Sequence, residues 1–244
     1  MLLNCDLGES FGAWEMGLDA EVMPHIDMAN IACGFHAGDP SVLAATLKLA
    51  KQHQVTVGAH PSYPDLQGFG RRSLNMSKQE LIHCVQYQIA AIEGMAKVEG
   101  VSLSYVKPHG ALYNDMMRNE EILLTLLEAL SSYPTKLKLM ILATANAEHH
   151  KTLATQYGVS LLMEAFADRL YTDEGLLTPR NQPNAVHNEI KLIKQVQQLT
   201  KTSSVITAGG NKLCLPADTL CVHGDNQAAV AQIKKIKAMI SIDN

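Results

Sequence analysis

Short apolar runs alternate along this chain with longer amphipathic stretches, and this alternation limits the fold more than any other feature. The runs carry Val, Ile, Leu, Ala or Met at consecutive positions, which is typical of strands buried on both faces of a parallel sheet. Repeated strand–helix units leave an open doubly wound sheet or a closed barrel, and seven of them favour the α/β barrel. Strands are predicted at 2–6, 27–33, 54–59, 103–107, 137–143, 160–165 and 219–223, helices at 40–53, 77–99, 119–132, 146–157, 184–200 and 226–239, and a short element at 18–25.

Local signals place the starts of three helices. Asp39 precedes a proline and is a suitable N-cap, and Asn119 precedes two glutamates that favour a helix N-terminus. Ser77 and Glu80 have the spacing of a capping box.

The segment 204–215 indicates a β-hairpin inserted before the last strand. Since no linker or low-complexity stretch divides the sequence, we expect one domain over 1–244.

Composition excludes several classes of protein. The 20 Lys and Arg against 24 Asp and Glu give a formal net charge of -4, whereas a nucleic-acid-binding domain needs a basic surface. No apolar run reaches the roughly 18 residues of a membrane span, and the first residues lack the basic part of a signal peptide. The five cysteines form no CxxC pair, which favours reduced thiols and a cytoplasmic location.

Polar side chains occur where almost every predicted strand ends, in loops rich in glycine, histidine, aspartate and asparagine. In a βα barrel the carboxyl ends of the strands converge on one face, and the chemistry takes place there. Residues more than 200 positions apart are therefore expected to share one mouth. The candidates are Asp6, Glu9, His36, His60, Lys107, His109, Glu164, Arg169, His223 and Asp225.

These residues also have plainer interpretations. A single histidine at a strand end is usually a structural hydrogen-bond donor, Asp6 and Asp225 can cap the helices that follow, and Lys107 can be a solvated loop charge. Four histidines at equivalent strand ends nevertheless favour one shared site. Two long loops, at 58–76 and 168–183, are then expected to cover it.

Carboxylate, imidazole and ammonium groups in one cleft suit hydrolysis. A carboxylate takes a proton from water, and histidine protonates a leaving nitrogen or polarises a carbonyl. Asp6, His36 and His60 are also donors suited to a divalent metal such as zinc, manganese or iron, but without an HExxH motif we assign no metal from the sequence. Walker A and GxGxxG patterns are missing as well, so ATP, if the reaction needs it, would be bound by another subunit.

Seven motifs follow one another along the chain: NCDLGESFG (4–12), ANIACGFHAGDP (29–40), GAHPSYPD (58–65), GFGRR (68–72), VKPHGALYN (106–114), EAFADR (164–169) and CVHGD (221–225). In order and content they resemble the LamB/YcsF (lactam-utilization) family. The resemblance implies an irregular seven-stranded (β/α) barrel, TIM-barrel-like and related to the glycoside hydrolase/deacetylase superfamily. It also implies ATP-dependent hydrolysis of 5-oxoproline (pyroglutamate) to L-glutamate together with partner subunits B and C, which would bind the ATP and activate the lactam.

The resemblance and the strand-end pattern together suggest roles for individual residues. Asp6 or Glu9 would activate water, and the histidines would orient it or stabilise the developing charge. Lys107 would act with Arg169 or Arg180 on the substrate carboxylate or the activating phosphate. The predicted catalytic set is Asp6, Glu9, His36, His60, Lys107 and His109, and the predicted substrate-binding set is Asn30, Arg72, Asn114, Glu164, Arg169, Arg180, His223 and Asp225.

Two other functions remain open at this stage. The first is a metal-dependent deacetylase or amidohydrolase that acts alone, which the Asp6, His36 and His60 donor set would support. The second is a non-catalytic subunit that only binds the small molecule. Metal content and the effect of substitutions on turnover would distinguish them.

Overall fold

Seven parallel strands close into a barrel in the computed structural model, which describes residues 1–224 and 227–242. The first strand pairs with the second on one side and with the last on the other, so the sheet closes without a free edge. This confirms the predicted α/β barrel. In order around the barrel the strands are β1 (Leu2–Leu7), β2 (Met28–Ala32), β3 (Thr56–His60), β4 (Leu103–Val106), β5 (Lys138–Leu142), β6 (Leu161–Phe166) and β9 (Thr219–Val222).

The helices lie mainly between consecutive barrel strands, as the sequence pattern predicts. Among the described residues no helix is both long and apolar enough to cross a bilayer. The helices are α1 (Asp19–Val22), α2 (Pro40–His53), α3 (Lys78–Glu99), α4 (Gly110–Arg118), α5 (Glu120–Ser131), α6 (Ala147–Gln156), α7 (Glu189–Thr202) and α8 (Gln227–Ile242), with a 3-10 helix at Met23–His25.

The three predicted helix starts are confirmed by side-chain hydrogen bonds. Asp39 accepts from the first backbone N–H groups of α2, Asn119 caps α5, and Ser77 and Glu80 form the capping box of α3. The predicted start of α7 was wrong, because Asn188 rather than an earlier residue caps that helix. The predicted hairpin is confirmed as the antiparallel pair β7 (Ser204–Ile206) and β8 (Lys212–Cys214).

No helix is predicted from sequence at the position of α4, because the polar residues that follow the strand at 103–107 indicate a loop there. The helix begins at Gly110, directly after the motif that carries Lys107 and His109. It is only nine residues long, and nothing caps its N-terminus through a side chain. Helix α5 follows it at once and confirms the helix predicted at 119–132, so α4 is an additional helix.

The interior of the barrel is closed at one end by an apolar plug. Met28, Tyr105 and Met140 form a small cluster separate from the main core, which fills the space between strands and helices. Their neighbours in the strands, such as Val106 and Ile141, belong to the main core. Because side chains alternate between the two faces of a strand, the plug faces the barrel axis.

Above the plug, a column of buried polar side chains leads toward the carboxyl ends of the strands. Tyr105 donates its hydroxyl to Asn30 Oδ1 at 2.7 Å, and Asn30 Nδ2 donates to Asn4 Oδ1 at 2.8 Å. Asn4 Nδ2 in turn donates to Thr219 Oγ1 at 2.9 Å. The buried amides are thus satisfied across β1, β2, β4 and β9, as burial requires.

We predict that Gly58→Ala destabilises the protein through this column. A Cβ at position 58 would lie 2.2 Å from Tyr105 Cε2, so the ring must move and its bond to Asn30 is disturbed. Overpacking of this kind typically costs about 1–3 kcal/mol of unfolding free energy, measurable by urea denaturation. The control is Gly94→Ala on the exposed side of α3, where a Cβ meets nothing within 4 Å. Equal losses in both variants would contradict the prediction.

Candidate active site

The carboxyl ends of the barrel strands open into a cavity of about 700 Å³. Its position confirms that side chains from distant parts of the chain meet at one mouth. Segments from both long loops, including Phe69 and Leu177, form part of its wall. The residues predicted from sequence that line it are Asp6, Glu9, His60, Lys107, His109, Asn114, Arg169, Arg180 and His223.

Lys107 is the buried cation at the base of the cavity. Its Nζ lies 2.9 Å from Asp6 Oδ1 and 2.8 Å from Glu164 Oε1, and Cys221 Sγ is 3.3 Å away. Burial alone would lower the pKa of Lys107, but Asp6, the Cys221 side chain and Glu164 outweigh it and raise the pKa well above its ordinary value. The lysine is therefore protonated at neutral pH.

Asp6, at the end of β1, contacts both the lysine and a histidine. Besides the Lys107 contact, Asp6 Oδ1 accepts from Asn30 Nδ2 at 2.8 Å, and Oδ2 lies 3.4 Å from His60 Nε2. Burial alone would raise the pKa of Asp6, but His60 and Lys107 outweigh it and hold the pKa well below its ordinary value. The pKa of Glu9 is raised by burial, with the nearby Asp6 charge adding to the effect.

Glu164 and Asn30 lie beneath the cavity rather than in its wall. Glu164 is fully buried, pairs with Lys107 and accepts from the Tyr113 hydroxyl at 2.8 Å. Asn30 is fully buried in the polar column and holds Asp6. Both were predicted to bind substrate, but neither lines the cavity, and their contacts position Lys107 and Asp6.

Three histidines surround Glu9 on one side of the mouth. Glu9 Oε1 lies 3.6 Å from His36 Nε2 and 3.7 Å from His109 Nδ1, and His109 Nδ1 lies 3.0 Å from His60 Nε2. His36 is buried behind the cavity wall, with its ring stacked on that of His109. Burial and neighbouring imidazoles lower the pKa of His36 and of His109 well below the ordinary value.

The loop after β3 touches the start of α4 through two glycines. Ala111 N–H donates to the Gly70 carbonyl at 2.8 Å, and Gly70 and Gly110 have φ of +63° and +56°, a region that favours glycine. A Cβ at Gly110 would lie 2.5 Å from the Gly70 oxygen. A Cβ at Gly70 would lie 2.8 Å from His109 Cδ2 and 2.9 Å from His36 Cβ. The positions of both histidines therefore depend on these glycines.

The rim of the cavity carries arginines that sequence reasoning identified only in part. Arg71 and Arg118 line the cavity, although neither was in the predicted set. Arg72, which was predicted, does not line it, because its guanidinium is paired with Asp65. Arg118 ends the helix that the sequence analysis missed, and nothing in the sequence distinguishes Arg71 from its neighbour.

Arg169 and Arg180 reach the cavity from the loop after β6. Arg169 is buried and donates to the backbone carbonyls of Thr178 and Ala185, so it also holds this loop together. Arg180 Nη2 lies 3.2 Å from His223 Nε2. Arg169 therefore lines the cavity, as predicted, and also stabilises the loop after β6.

His223, after β9, is paired with a carboxylate. Its Nδ1 lies 3.0 Å from Asp168 Oδ2. Burial alone would lower the pKa of His223, but Asp168 outweighs it and raises the pKa, while His223 and Arg180 outweigh the burial of Asp168 and hold its pKa at about 2. The other predicted residue after this strand, Asp225, lies outside the described residues.

The donor atoms at the mouth fall into two groups that can hold a metal ion. In one, the donor atoms of Glu9, His36, His60 and His109 all lie within 4.8 Å of one another. The other consists of Asp6, Cys221 and His223. The set predicted from sequence, Asp6 with His36 and His60, is divided between these groups.

The chain is an α/β-barrel protein of the class that carries its functional site at the carboxyl ends of the strands. The closed barrel and the ionisable side chains gathered at that face define this class. Within this class the chain belongs to the LamB/YcsF family, whose model matches residues 1–244. The membership confirms the resemblance drawn from the seven motifs.

Curated relatives and a solved structure match nearly the whole chain. The 5-oxoprolinase A subunit of Vibrio parahaemolyticus is 52% identical over 97% of this chain and 94% of its own length. The protein of the same name from Vibrio cholerae is 53% identical over 98% of this chain and 96% of its own. The crystal structure of the lactam utilization protein from Thermus thermophilus superposes with a TM-score of 0.89 at 35% identity, covering 99% of this chain and 97% of that one.

We predict that Lys107→Met strongly destabilises the protein. The substitution leaves Asp6 and Glu164 buried without their shared cation, and loss of one partner of a buried ion pair typically costs about 3–5 kcal/mol. Urea denaturation monitored by circular dichroism measures the loss. Lys78→Met, which removes an exposed lysine paired with Glu128, is the control and should scarcely change the midpoint. A Lys107→Met midpoint equal to that control would contradict the prediction.

Proposed function

We propose that this chain is the A subunit of a 5-oxoprolinase, a hydrolase that opens the cyclic amide of 5-oxoproline to give L-glutamate at the expense of ATP. The observation that carries the proposal is the 52–53% identity, over nearly the whole of both chains, to relatives that bear this name. The site described above offers the chemical groups that such a reaction needs.

The charge of the cavity wall suits an anionic substrate. Besides Lys107, the arginines at positions 71, 118, 169 and 180 line the cavity, whereas Asp6 and Glu9 are the carboxylates in its wall. Arginine binds carboxylate and phosphate groups in a bidentate manner. The carboxylate of 5-oxoproline, and a phosphate on its activated form, would both find partners at this rim. A cavity of about 700 Å³ is large enough for such a molecule.

The chemistry we propose begins with a lactam whose oxygen has been phosphorylated, which makes the ring carbon more electrophilic. Asp6, an ionised carboxylate at the base of the cavity, takes a proton from water as its oxygen attacks this carbon. The C–N bond then breaks, and Asp6 passes the proton it took from water to the leaving nitrogen. The ring opens to an acyl phosphate, and a second water releases phosphate and leaves glutamate.

Lys107 has a supporting part in this scheme. Its ammonium group lies 2.9 Å from Asp6 Oδ1, which keeps the carboxylate ionised and leaves Oδ2 facing His60. A fixed cation beside the reacting carbon also stabilises the negative charge that develops on oxygen, at no cost of reorganisation.

Partner subunits would supply the ATP. The relatives are named as one subunit, which implies companions, and we propose that these are subunits B and C. The sequence carries no Walker A or GxGxxG motif. We also place the protein in the cytoplasm, because all five cysteines are free thiols and ATP is available there.

The test is the release of glutamate from 5-oxoproline by this chain, ATP and subunits B and C. We expect Asp6→Asn to lower turnover by roughly 10²–10⁴-fold, the usual contribution of a general base. Asparagine keeps the oxygen that accepts from Asn30 but removes one of the two carboxylates paired with Lys107, so we expect the melting temperature to fall and turnover is compared at a temperature where circular dichroism shows the variant folded. Glu148→Gln, an exposed carboxylate on α6, is the control that should retain activity.

The other possible results of this test would refute the proposed activity or its mechanism, or favour one of the two alternative functions. No glutamate from the complete mixture would refute the proposed activity, and full activity of Asp6→Asn would remove this carboxylate from the mechanism. Turnover by the chain alone, without ATP, would favour the stand-alone amidohydrolase. Variants of the mouth that bind 5-oxoproline less tightly but show no specific loss of turnover would favour the binding subunit.

A further inference from the structure

The three histidines around Glu9 are held so that their free nitrogens point at one another. His60 Nδ1 lies 2.7 Å from the Lys107 carbonyl oxygen, and His109 Nε2 lies 2.9 Å from the Phe69 carbonyl oxygen. A carbonyl only accepts hydrogen bonds, so both of these ring nitrogens must carry hydrogen. If the rings are neutral, the remaining nitrogens, His60 Nε2 and His109 Nδ1, therefore carry no hydrogen and are bare, with a free lone pair.

Two bare nitrogens at hydrogen-bond distance require something positive between them. His60 Nε2 and His109 Nδ1 are 3.0 Å apart, so that two neutral rings would direct lone pairs at each other. Either an extra proton or a metal ion removes this repulsion. The third histidine distinguishes the two.

His36 is oriented in the same way by its own partner. The Ser62 hydroxyl donates its only hydrogen to the Tyr63 carbonyl, so it accepts from His36 Nδ1–H at 3.0 Å. His36 Nε2 is then bare, and this ring, only 1% exposed, has no hydrogen-bond partner for that nitrogen. A proton between His60 and His109 would leave this buried nitrogen unsatisfied, whereas a metal ion engages all three.

We propose that Glu9, His36, His60 and His109 bind a single divalent transition-metal ion. The four donor atoms all lie within 4.8 Å of one another, and Glu9 contributes the negative charge that an imidazole-only site lacks. Three imidazoles with one carboxylate favour zinc, with manganese and iron as alternatives. Hydrogen bonds from the outer ring nitrogens to backbone or hydroxyl groups are the usual support of such ligands.

Binding by all four residues requires a small movement. The His36 and His109 rings are stacked 3.7 Å apart with an angle of 5° between their planes, so their lone pairs lie in parallel planes. The two rings must tilt toward each other to share an ion. Glu9, His60 and His109 line the cavity, so an ion can enter from it.

The experiment is a titration of the purified full-length protein with zinc chloride or manganese chloride after treatment with a chelator. Isothermal titration calorimetry gives the stoichiometry and Kd, and elemental analysis after desalting gives the retained metal. We expect one equivalent per chain, and a Kd raised by roughly tenfold or more in Glu9→Gln and in His60→Gln. His223→Gln, at the same mouth but in the other donor group, should bind as the unaltered protein does.

Three results would overturn the proposal: no binding by the unaltered protein, binding that both Glu9→Gln and His60→Gln leave unchanged, or loss of binding in His223→Gln alone. Circular dichroism shows whether each variant folds, and Glu9→Gln changes a partly exposed residue, so a failure of His60→Gln to fold does not prevent the test. No substrate or partner subunit is present, so the result is independent of the proposed 5-oxoprolinase activity.

Discussion

The ion pairs of Lys107 hold the mouth of this barrel together. A buried ammonium is tolerated only if carboxylates compensate the lost hydration, and here Asp6 and Glu164 provide them from two different strands. Because β1 closes the barrel against β9, which in turn pairs with β6, these carboxylates face one axis. Asn30 and Tyr113 complete the hydrogen bonding around the pair. Closure of the sheet and the electrostatics of the site thus depend on each other.

The sequence predicts the barrel well, because buried parallel strands are short continuous apolar runs and three helices carry clear caps. It also predicts which residues meet, since strand ends converge in any such barrel. The sequence does not predict which of these side chains lie in the cavity wall and which lie below it. Glu164 and Asn30 end below the cavity, and the choice of Arg71 over Arg72 is made by a local pair with Asp65 that no periodicity reveals. Short helix α4 escaped prediction because it has no side-chain cap.

For the three histidines, the sequence predicts where they lie, whereas tertiary contacts determine how their rings are oriented. Their positions after β2, β3 and β4 follow from the motifs, but the direction of each ring is fixed by groups from other parts of the chain. His60 is oriented by the backbone of residue 107, His109 by that of Phe69, and His36 by Ser62. These outer hydrogen bonds are what convert three strand-end histidines into one group of converging donors.

The paired glycines at positions 70 and 110 limit how this protein can change over evolutionary time. Since neither tolerates a side chain, the segment after β3 cannot be reshaped without displacing two imidazoles. In the opposite wall, the segment around Arg180 is held by the Arg169 side chain, which donates to the Thr178 and Ala185 carbonyls, and among the described residues it contains no pair of contacting glycines at positive φ. Adaptation to a bulkier ring would accordingly be least costly on that side, with the histidine side inherited unchanged.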